Sequence, residues 1–571
     1  MYLRQNKRPN GRIHLAICKS YRDPITKKNK QKVMKTIGYL DELYKKYPDP
    51  IKHFEKVAED MTNKERLESE TTITINYNSL LSENTNKLKN IGFAALSQIY
   101  HELGIDKFLI NRERGIKAKF PLNNIMKLLV YERILNPSSK LSAYENRDLY
   151  IENFDFPLES VYRSLDIFSK QKEKLLLDIH ENVNMKYGRD VSNVFYDVTN
   201  YYYHTEEETD LIARGYSKDR KGKPIIQMGL LLDKAGLPIT YELFRGNTTD
   251  YETLLPVLSK LKQSFNLKRA IVVADKGLNS GENKAYNIIK GDGYIFSRSL
   301  RGTKADKEVK TYALNEEGYI WINEDYKIKS RIYPTDIWVT NKDGKRVKVN
   351  IDEKHIIFYS EKHARRTKHK RNEVISKALE LINSPSKYAK TENYGVLKYI
   401  KGMKLDRKTG ELSLEKKNSI PVLDEELIRE EEKFDGYYSI VSSELDMSDT
   451  DIIETYKGLW KIEESFKITK TILMTRPIYV KTEAHIEAHF LSCFISLLIV
   501  RILEMKLQKQ YSPEKIINSL KKANVALLNQ NIYQTLYYDE ILKLIDEELG
   551  TNLNKEYQTT ADIRRLIADT K

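Results

Sequence analysis

The sequence predicts an α/β protein whose core is a mixed five-stranded sheet with helices, interrupted by a mainly β insertion. Three observations lead to this class. Residues 191–300 alternate apolar runs of strand length with two helical stretches, and residues 301–435 contain short alternating runs. Residues 80–190 repeat apolar residues three and four positions apart. We therefore expect an N-terminal hairpin and a helical bundle before the core.

Length and composition exclude several classes of protein. At roughly 100–200 residues per domain, 571 residues suggest three to five domains. A hydrophobic fraction of 40% excludes disorder as the main state. Cys18 and Cys493 are too few for a disulfide scaffold or a four-cysteine zinc module. The net charge of +15 fits a nucleic-acid partner, but a merely solvated surface accounts for it equally well.

Neither the start of the chain nor its apolar runs predict a membrane segment. The N-terminal stretch MYLRQNKRPNGRIH has no apolar signal core, so we expect a cytoplasmic protein. The longest apolar run, FLSCFISLLIV at 490–500, is shorter than the about 20 residues that span a bilayer. It predicts a buried helix.

Changes of periodicity divide the chain into six segments. We expect a β-hairpin with a basic tip and a helix in residues 1–75, and a helical domain that is a candidate for binding the DNA ends in 76–190. The core is expected in two parts, 191–300 and 436–510, separated by a β-rich insertion in 301–435. A helical region is expected in 511–571.

The core segment is predicted to run β-β-β-α-β-α-β. Three strands, VSNVFYDVTN, PIIQMGLLLD and LPITYELFRG, precede a helix from Asp250 to Gln263, capped by Thr249 or Asp250. The buried strand RAIVVAD, a helix from about Ser280 and the strand YIFSR complete the series.

Two aspartates stand at the ends of apolar strands in this series. Asp197 lies in VFYDVTN, and Asp275 follows IVVA and precedes Gly277. Each alone could be a turn residue or a helix cap. Together they predict two carboxylates at one edge of the sheet, where α/β folds place their ligand sites. Because an unpaired carboxylate is costly to bury, both must meet water, a cation or a metal.

The third acidic candidate lies in TYKGLWKIEESFKITK. With Tyr456 at the origin of one helix, Trp460, Glu463, Lys467 and Lys470 form a single stripe. Glu464 is rotated by about 100° from the stripe, so Glu463 is the better candidate. A solvated face with a Glu463–Lys467 ion pair is the alternative, although it leaves the aromatic residues unexplained.

Three carboxylates without a Cys or His set suit Mg²⁺ or Mn²⁺ rather than Zn²⁺. Two such ions roughly 4 Å apart can cleave a phosphodiester. Lys467 and Lys470 could bind phosphates, and Tyr456 and Trp460 could stack on an unpaired base.

Asp197, Asp275 and Glu463 resemble the DDE triad of IS4-type insertion-sequence transposases. The spacing of Tyr456, Glu463 and Lys470 resembles that group's Y-(2)-R-(3)-E-(6)-K signature, and DVTNYYYHTEEE, VADKGLNSGEN and YKGLWKIEESFKITK resemble its IS1634 branch. Leu459 occupies the position of the signature's arginine. Lys457 could supply the cation, although from another face of the helix.

This resemblance implies an RNase H-like core with an insertion between Asp275 and Glu463. It also implies two Mg²⁺ ions held by the triad, cleavage at the inverted repeats of the element, and attack of the 3′-OH ends on target DNA. The implied partners are double-stranded DNA and a second copy of the chain, in the nucleoid of a bacterium.

Two further patterns in the sequence are weaker. EKHARRTKHKR carries six cations within ten residues, of which Arg365 and Arg366 are the candidate DNA contacts. HIEAH places His485 and His489 four apart, but Ile486 occupies the glutamate position of a zinc-protease motif. Two alternative functions stay open: a catalytically degenerate DNA-binding protein, and a metal-dependent nuclease on the same core.

Overall fold

The computed structural model describes most of the chain. The described residues are 1–22, 28–67, 78, 80–83, 85–116, 120–203, 207–215, 223–265, 269–302, 305–383, 396–405, 412–414, 420–529 and 531–571. The chain forms two compact units, Met1–Glu83 and Asn84–Lys571. The finer division into six segments that the sequence predicts stays a prediction.

The N-terminal unit is a three-stranded antiparallel sheet followed by helices. Its strands β1 (Tyr2–Lys7), β2 (Ile13–Arg22) and β3 (Asn29–Tyr39) are ordered β1-β2-β3, and helices α1 (Leu40–Leu43) and α2 (Pro50–Leu67) follow. The predicted hairpin is therefore present, with β1 as an additional strand. Its predicted basic tip includes residues 23–27, which lie outside the described residues. Leu15, Leu43 and Phe54 form the core of this unit.

Helices open the second unit, as the spacing of apolar residues predicts. After the short strand β4 (Leu88–Asn90) come five helices: α3 (Phe93–Glu102), α4 (Ile105–Ile116), α5 (Leu122–Leu135), α6 (Lys140–Glu145) and α7 (Leu158–Tyr187). Helices α3, α5 and α7 pack against a later helix, α15 (Glu483–Lys506), which contains the predicted buried run. In the described part of the chain, α15 alone has the length and hydropathy of a membrane span, but 94% of its apolar window is buried inside the protein. It is a core helix.

The predicted β-β-β-α-β-α-β series is confirmed. It consists of β5 (Asn193–Tyr202), β6 (Ile225–Leu232), β7 (Pro238–Arg245), α8 (Asp250–Phe265), β8 (Ile271–Ala274), α9 (Gly281–Ile289) and β9 (Gly293–Arg298). The hydroxyl of Ser280 caps α9 by accepting from the backbone N–H of Asn283. Strand β8 is parallel to both β5 and β9, whereas β6 is antiparallel to both β5 and β7.

The sheet has nine strands rather than the predicted five, in the order β10-β11-β12-β17-β9-β8-β5-β6-β7. The insertion contributes β10 (Ile320–Asn323), β11 (Tyr326–Thr340) and β12 (Arg346–Ser360), and β17 (Tyr437–Ser442) follows it. Because β12 pairs with β17 and β17 pairs with β9, the inserted strands extend the central sheet.

The rest of the insertion is helical or consists of short strand pairs. Its remaining elements are α10 (Lys307–Leu314), α11 (Glu361–Asn383), β13 (Ile400–Lys401), β14 (Met403–Leu405), β15 (Leu412–Leu414), β16 (Val422–Leu423) and α12 (Glu425–Glu432).

The C-terminal part is not wholly helical, which corrects the expectation for residues 511–571. Its elements are α13 (Asp449–Lys457), α14 (Trp460–Lys467), a π-helix (Ile468–Ile472), α15, α16 (Pro513–Lys522), β18 (Asn524–Asn529), β19 (Ile532–Thr535), α17 (Glu540–Leu549), β20 (Tyr557–Thr559) and α18 (Thr560–Asp569). A four-stranded sheet, β20-β19-β18-β4, joins this region to the start of the unit. Periodicity misses such strands because short apolar runs fit a helix equally well.

Candidate active site

Asp197 and Asp275 lie on neighbouring parallel strands at the same level. Strands β5 and β8 pair from Asn193 with Ile271 to Tyr196 with Ala274, and the next step of this register brings Asp197 beside Asp275. Strand β8 is buried from Val272 to Ala274, and Asp275 is the first exposed residue after it. Asp197 is half-buried. The two aspartates therefore meet at one sheet edge, as the sequence predicts.

Helix α14 lies along β5 on the face that carries Asp197. A Cβ added to Gly458, just before α14, would come within 2.5 Å of Cζ of Phe195. Beyond the other end of α14, the hydroxyls of Thr469 and Tyr201 share a hydrogen bond of 2.7 Å. Phe195, Asp197 and Tyr201 point to one face because side chains alternate along a strand.

Glu463 lies between these two contacts, in the first turn of α14, and is exposed. Its helix thus runs over the strand that carries Asp197.

Two hydroxyl groups converge on Asp275. Ser297 Oγ donates to Oδ1 of Asp275 at 2.6 Å, and the hydroxyl of Tyr456 donates to the same oxygen at 3.5 Å. Burial raises the pKa of Tyr456 well above its usual value, and the negative charges of Asp275 and Glu463 raise it further. The tyrosine therefore stays a neutral donor near both carboxylates.

Tyr438, on β17, is also affected by the charges of Asp275 and Glu463. Burial raises the pKa of this tyrosine, and Asp275 and Glu463 both add to the rise. Neither Tyr438 nor Ser297 is suggested by the sequence, because each lies inside an apolar strand and only the pairing of β9 with β8 and β17 reveals its neighbours.

The predicted single stripe from Tyr456 to Lys470 is wrong in its geometry. Helix α13 ends at Lys457, Gly458 is its C-terminal cap, and α14 begins at Trp460. Lys470 lies in the π-helix that follows. The break occurs where Gly458 approaches Phe195, a contact that leaves no room for a side chain. After the larger contribution of burial, the negative charge of Glu463 nevertheless contributes to the raised pKa of Tyr456.

The candidate DNA-binding residues of this region differ in their surroundings. Trp460 is 51% exposed and Lys467 is exposed, whereas Lys470 is half-buried with Nζ 5.7 Å from the ring centroid of Tyr201. Lys457 is ion-paired with Glu454 at 2.6 Å. Their contacts with DNA stay predictions.

Leu459, at the arginine position of the signature, is buried in the core of this unit. It contributes no charge to the site.

The basic stretch forms the first half of α11. Arg365 and Arg366 are exposed, and Arg365 pairs with Glu361 at 3.1 Å. Arg371 is different, since it is buried and paired with Asp435 at 2.5 Å and Glu432 at 3.1 Å. The expectation that Arg371 is one of the phosphate-binding cations is therefore wrong. Its ion pairs hold α11 against the segment that leads into β17.

The carboxylates fit a divalent cation in donor type. Asp275 and Glu463 form no ion pair with any described lysine or arginine, so no cation in the described part of the chain pairs with either carboxylate. Carboxylate oxygens are the donors that Mg²⁺ and Mn²⁺ prefer. However, no group of three or more described His, Cys, Asp or Glu side chains is close enough together to hold a metal ion. The structure thus places Asp197 and Asp275 at one sheet edge with the helix of Glu463 nearby, but the described side chains do not form a closed set of metal ligands.

Comparison with known proteins defines the class. Residues 197–499, more than half of the chain, match the family described as the transposase DDE domain, and the match begins at Asp197. Residues 3–72 match the N-terminal domain of IS1634 family transposases. No curated protein matches the chain. The chain belongs to the IS1634-type DDE transposases.

Proposed function

We propose that this transposase binds the terminal inverted repeats of its insertion sequence, cleaves DNA there, and joins the 3′-OH ends to target DNA. The observation that carries this proposal is the register that sets Asp197 beside Asp275, with the helix of Glu463 over the same face. In this proposal, strands β7-β6-β5-β8-β9 form the RNase H-like core, and the order of these five strands in the sheet supports that assignment.

Asp197, Asp275 and Glu463 would hold two Mg²⁺ ions, with Mn²⁺ as a substitute. When bound, such ions activate the attacking oxygen and neutralise the charge on the leaving oxygen. Bound ions would draw the three side chains together, and their positive charge would offset the repulsion between the carboxylates. Tyr456, protonated because its pKa is raised, keeps a hydrogen-bond donor on Asp275 during this rearrangement.

The remaining candidate residues would position the DNA. Lys467 and Lys470 bind phosphates near the cut, and Trp460 supplies an exposed aromatic surface for a base. Arg365 and Arg366 extend the basic surface along α11, consistent with the net charge of +15. Since two element ends must be cut and joined together, the active form would be a homodimer on DNA in the bacterial nucleoid.

The test is a DNA cleavage and joining assay with the full-length protein and a plasmid that carries both ends of its own element. We expect nicked and joined products with Mg²⁺ or Mn²⁺ and none with a chelator. Asp197→Asn and Asp275→Asn should each lower the cleavage rate by at least about a hundredfold.

Two other outcomes identify the alternatives. Specific retention of the DNA without any product would indicate a catalytically degenerate binding protein, an outcome that Leu459 at the arginine position would explain. Fragments without joined molecules would indicate a nuclease. Wild-type cleavage by both aspartate variants would contradict the proposed site.

A further inference from the structure

Ser297 occupies a buried position on β9 directly beside Asp275. The register of β8 and β9 pairs Ala274 with Phe296, so the next step sets Asp275 level with Ser297. The serine is 5% exposed, and its Oγ donates to Oδ1 of Asp275 at 2.6 Å. Such a short bond to a carboxylate is of the charge-assisted kind, about twice as strong as a neutral one.

The position of Ser297 is fixed from two sides. Its backbone carbonyl accepts from Nδ2 of Asn279 at 2.9 Å, and its strand pairs with β17 opposite Ile440. Asp275, in contrast, follows the last residue of β8 and is exposed. Ser297, whose backbone is fixed within β9, thus donates a hydrogen bond to the carboxylate of Asp275, which lies beyond the end of β8.

The two oxygens of Asp275 have different surroundings. Oδ1 accepts from Ser297 and, over a longer distance, from Tyr456. No described side chain donates to Oδ2. Since a carboxylate held at one oxygen presents the other in a fixed direction, the bond from Ser297 orients Oδ2 for an external ligand.

We propose that Ser297 is a positioning residue that orients Asp275 for a divalent cation. This inference rests on the proposed function, because it concerns the same carboxylate. Hydrogen-bonding partners of metal-binding side chains typically change metal affinity or activity by about 10–100-fold when they are removed. Loss of the hydroxyl should therefore weaken cation binding by roughly tenfold or more, without changing the fold.

The experiment measures Mn²⁺ binding directly, by the electron paramagnetic resonance signal of free Mn²⁺ during titration of the full-length protein. The variants are Ser297→Ala, Ser297→Thr, which keeps a hydroxyl, and Ser299→Ala as the matched control. Ser299 is exposed, and its hydroxyl donates to the carbonyl of Arg301 at 3.1 Å. Thermal unfolding is measured for every variant, and the Mg²⁺ dependence of DNA cleavage is measured in parallel.

The inference predicts that Ser297→Ala raises the Mn²⁺ dissociation constant and the half-saturating Mg²⁺ concentration by about tenfold or more. Ser297→Thr and Ser299→Ala should stay within about twofold of the wild type. Equal Mn²⁺ affinity of Ser297→Ala and the wild type would overturn the inference while leaving the proposed function intact. A wild-type protein that neither binds Mn²⁺ nor cleaves DNA would instead refute the proposed function. If Ser299→Ala weakens binding as much as Ser297→Ala, the effect is general and the inference is overturned.

Discussion

Arg501 donates to the carboxylate of Glu464 at 2.9 Å, whereas the adjacent Glu463 is exposed and makes no ion pair within the described residues. Arg501 is buried, pairs also with Glu504 at 2.7 Å, and donates to the backbone carbonyl of Lys461 at 3.1 Å. Glu464 thus links α14 to α15, whereas in the proposed function Glu463 binds the metal ions.

Glu463→Gln and Glu464→Gln should therefore affect different properties, the first DNA cleavage and the second stability. We expect Glu463→Gln to lower DNA cleavage by at least about a hundredfold with unchanged stability. Glu464→Gln should cost about 1–3 kcal/mol of unfolding free energy, since it weakens a hydrogen bond to a charged, buried group. Cleavage assays and urea unfolding of both variants check this. If Glu464→Gln loses cleavage and Glu463→Gln does not, the catalytic glutamate is Glu464 and the assignment to Glu463 is wrong.

The close approach of Gly458 to Phe195 predicts a second pair of variants. Gly458→Ala places a Cβ within 2.5 Å of the ring and should cost about 1–3 kcal/mol, because the helix of Glu463 must move away from β5. Cleavage should fall with it. Phe195→Leu in the same chain removes the obstructing ring carbon and should restore part of both losses, measured as a double-mutant cycle. Strictly additive losses would show that the contact does not position the helix.

Arg366 and Arg371 lie on the same helix and should contribute to different properties. Arg366→Ala removes an exposed cation, so DNA affinity should fall and the slope of log affinity against log salt should decrease by about one. Arg371→Ala breaks a buried ion pair and should cost about 3–5 kcal/mol of stability. DNA titrations at several salt concentrations and urea unfolding separate the two effects. An unchanged salt slope for Arg366→Ala would remove α11 from the proposed DNA surface.

Lys140 is buried, and its Nζ lies 3.5 Å from Nδ1 of His489 and 3.4 Å from Oγ of Ser492. Burial, together with the charge of Arg133, lowers the pKa of Lys140 to about 7. Unfolded lysine titrates near 10.4. Between these values the unfolded chain binds more protons, so this residue makes stability rise with pH from about 7 to about 10.

Replacement of this lysine by an apolar side chain should therefore stabilise the protein most in acid. We expect Lys140→Met to raise the unfolding free energy by about 1–4 kcal/mol at pH 6, and by clearly less at pH 9.5. Urea unfolding at both pH values measures the difference, with the exposed Lys170→Met as control. A gain that is equal at the two pH values would contradict the titration of Lys140.

The sequence predicts the core segment and its two aspartates because their signals are local. Apolar runs with a polar residue at the end mark β5 and β8 directly, and the change of period marks α8 and α9. The third acid, Glu463, is predicted because TYKGLWKIEESFKITK resembles the signature of IS4-type transposases. Each of these features lies within one short stretch of chain.

What the sequence misses depends on distant pairing. The insertion looks separate because nothing in it shows that β12 pairs with β17. Strand β18 looks helical because its partner β4 lies more than 400 residues earlier. The break at Gly458 and the bond from Ser297 to Asp275 likewise depend on side chains of other strands.

Anomalous diffraction from crystals of the full-length protein grown with Mn²⁺ would show whether the three acids bind the same metal ions. We expect manganese peaks in direct contact with carboxylate oxygens of Asp197, Asp275 and Glu463, with the three side chains closer together than in the metal-free arrangement. Manganese bound elsewhere, or bound to the two aspartates with Glu463 directed away from them, would contradict the claim that these three acids form one active site.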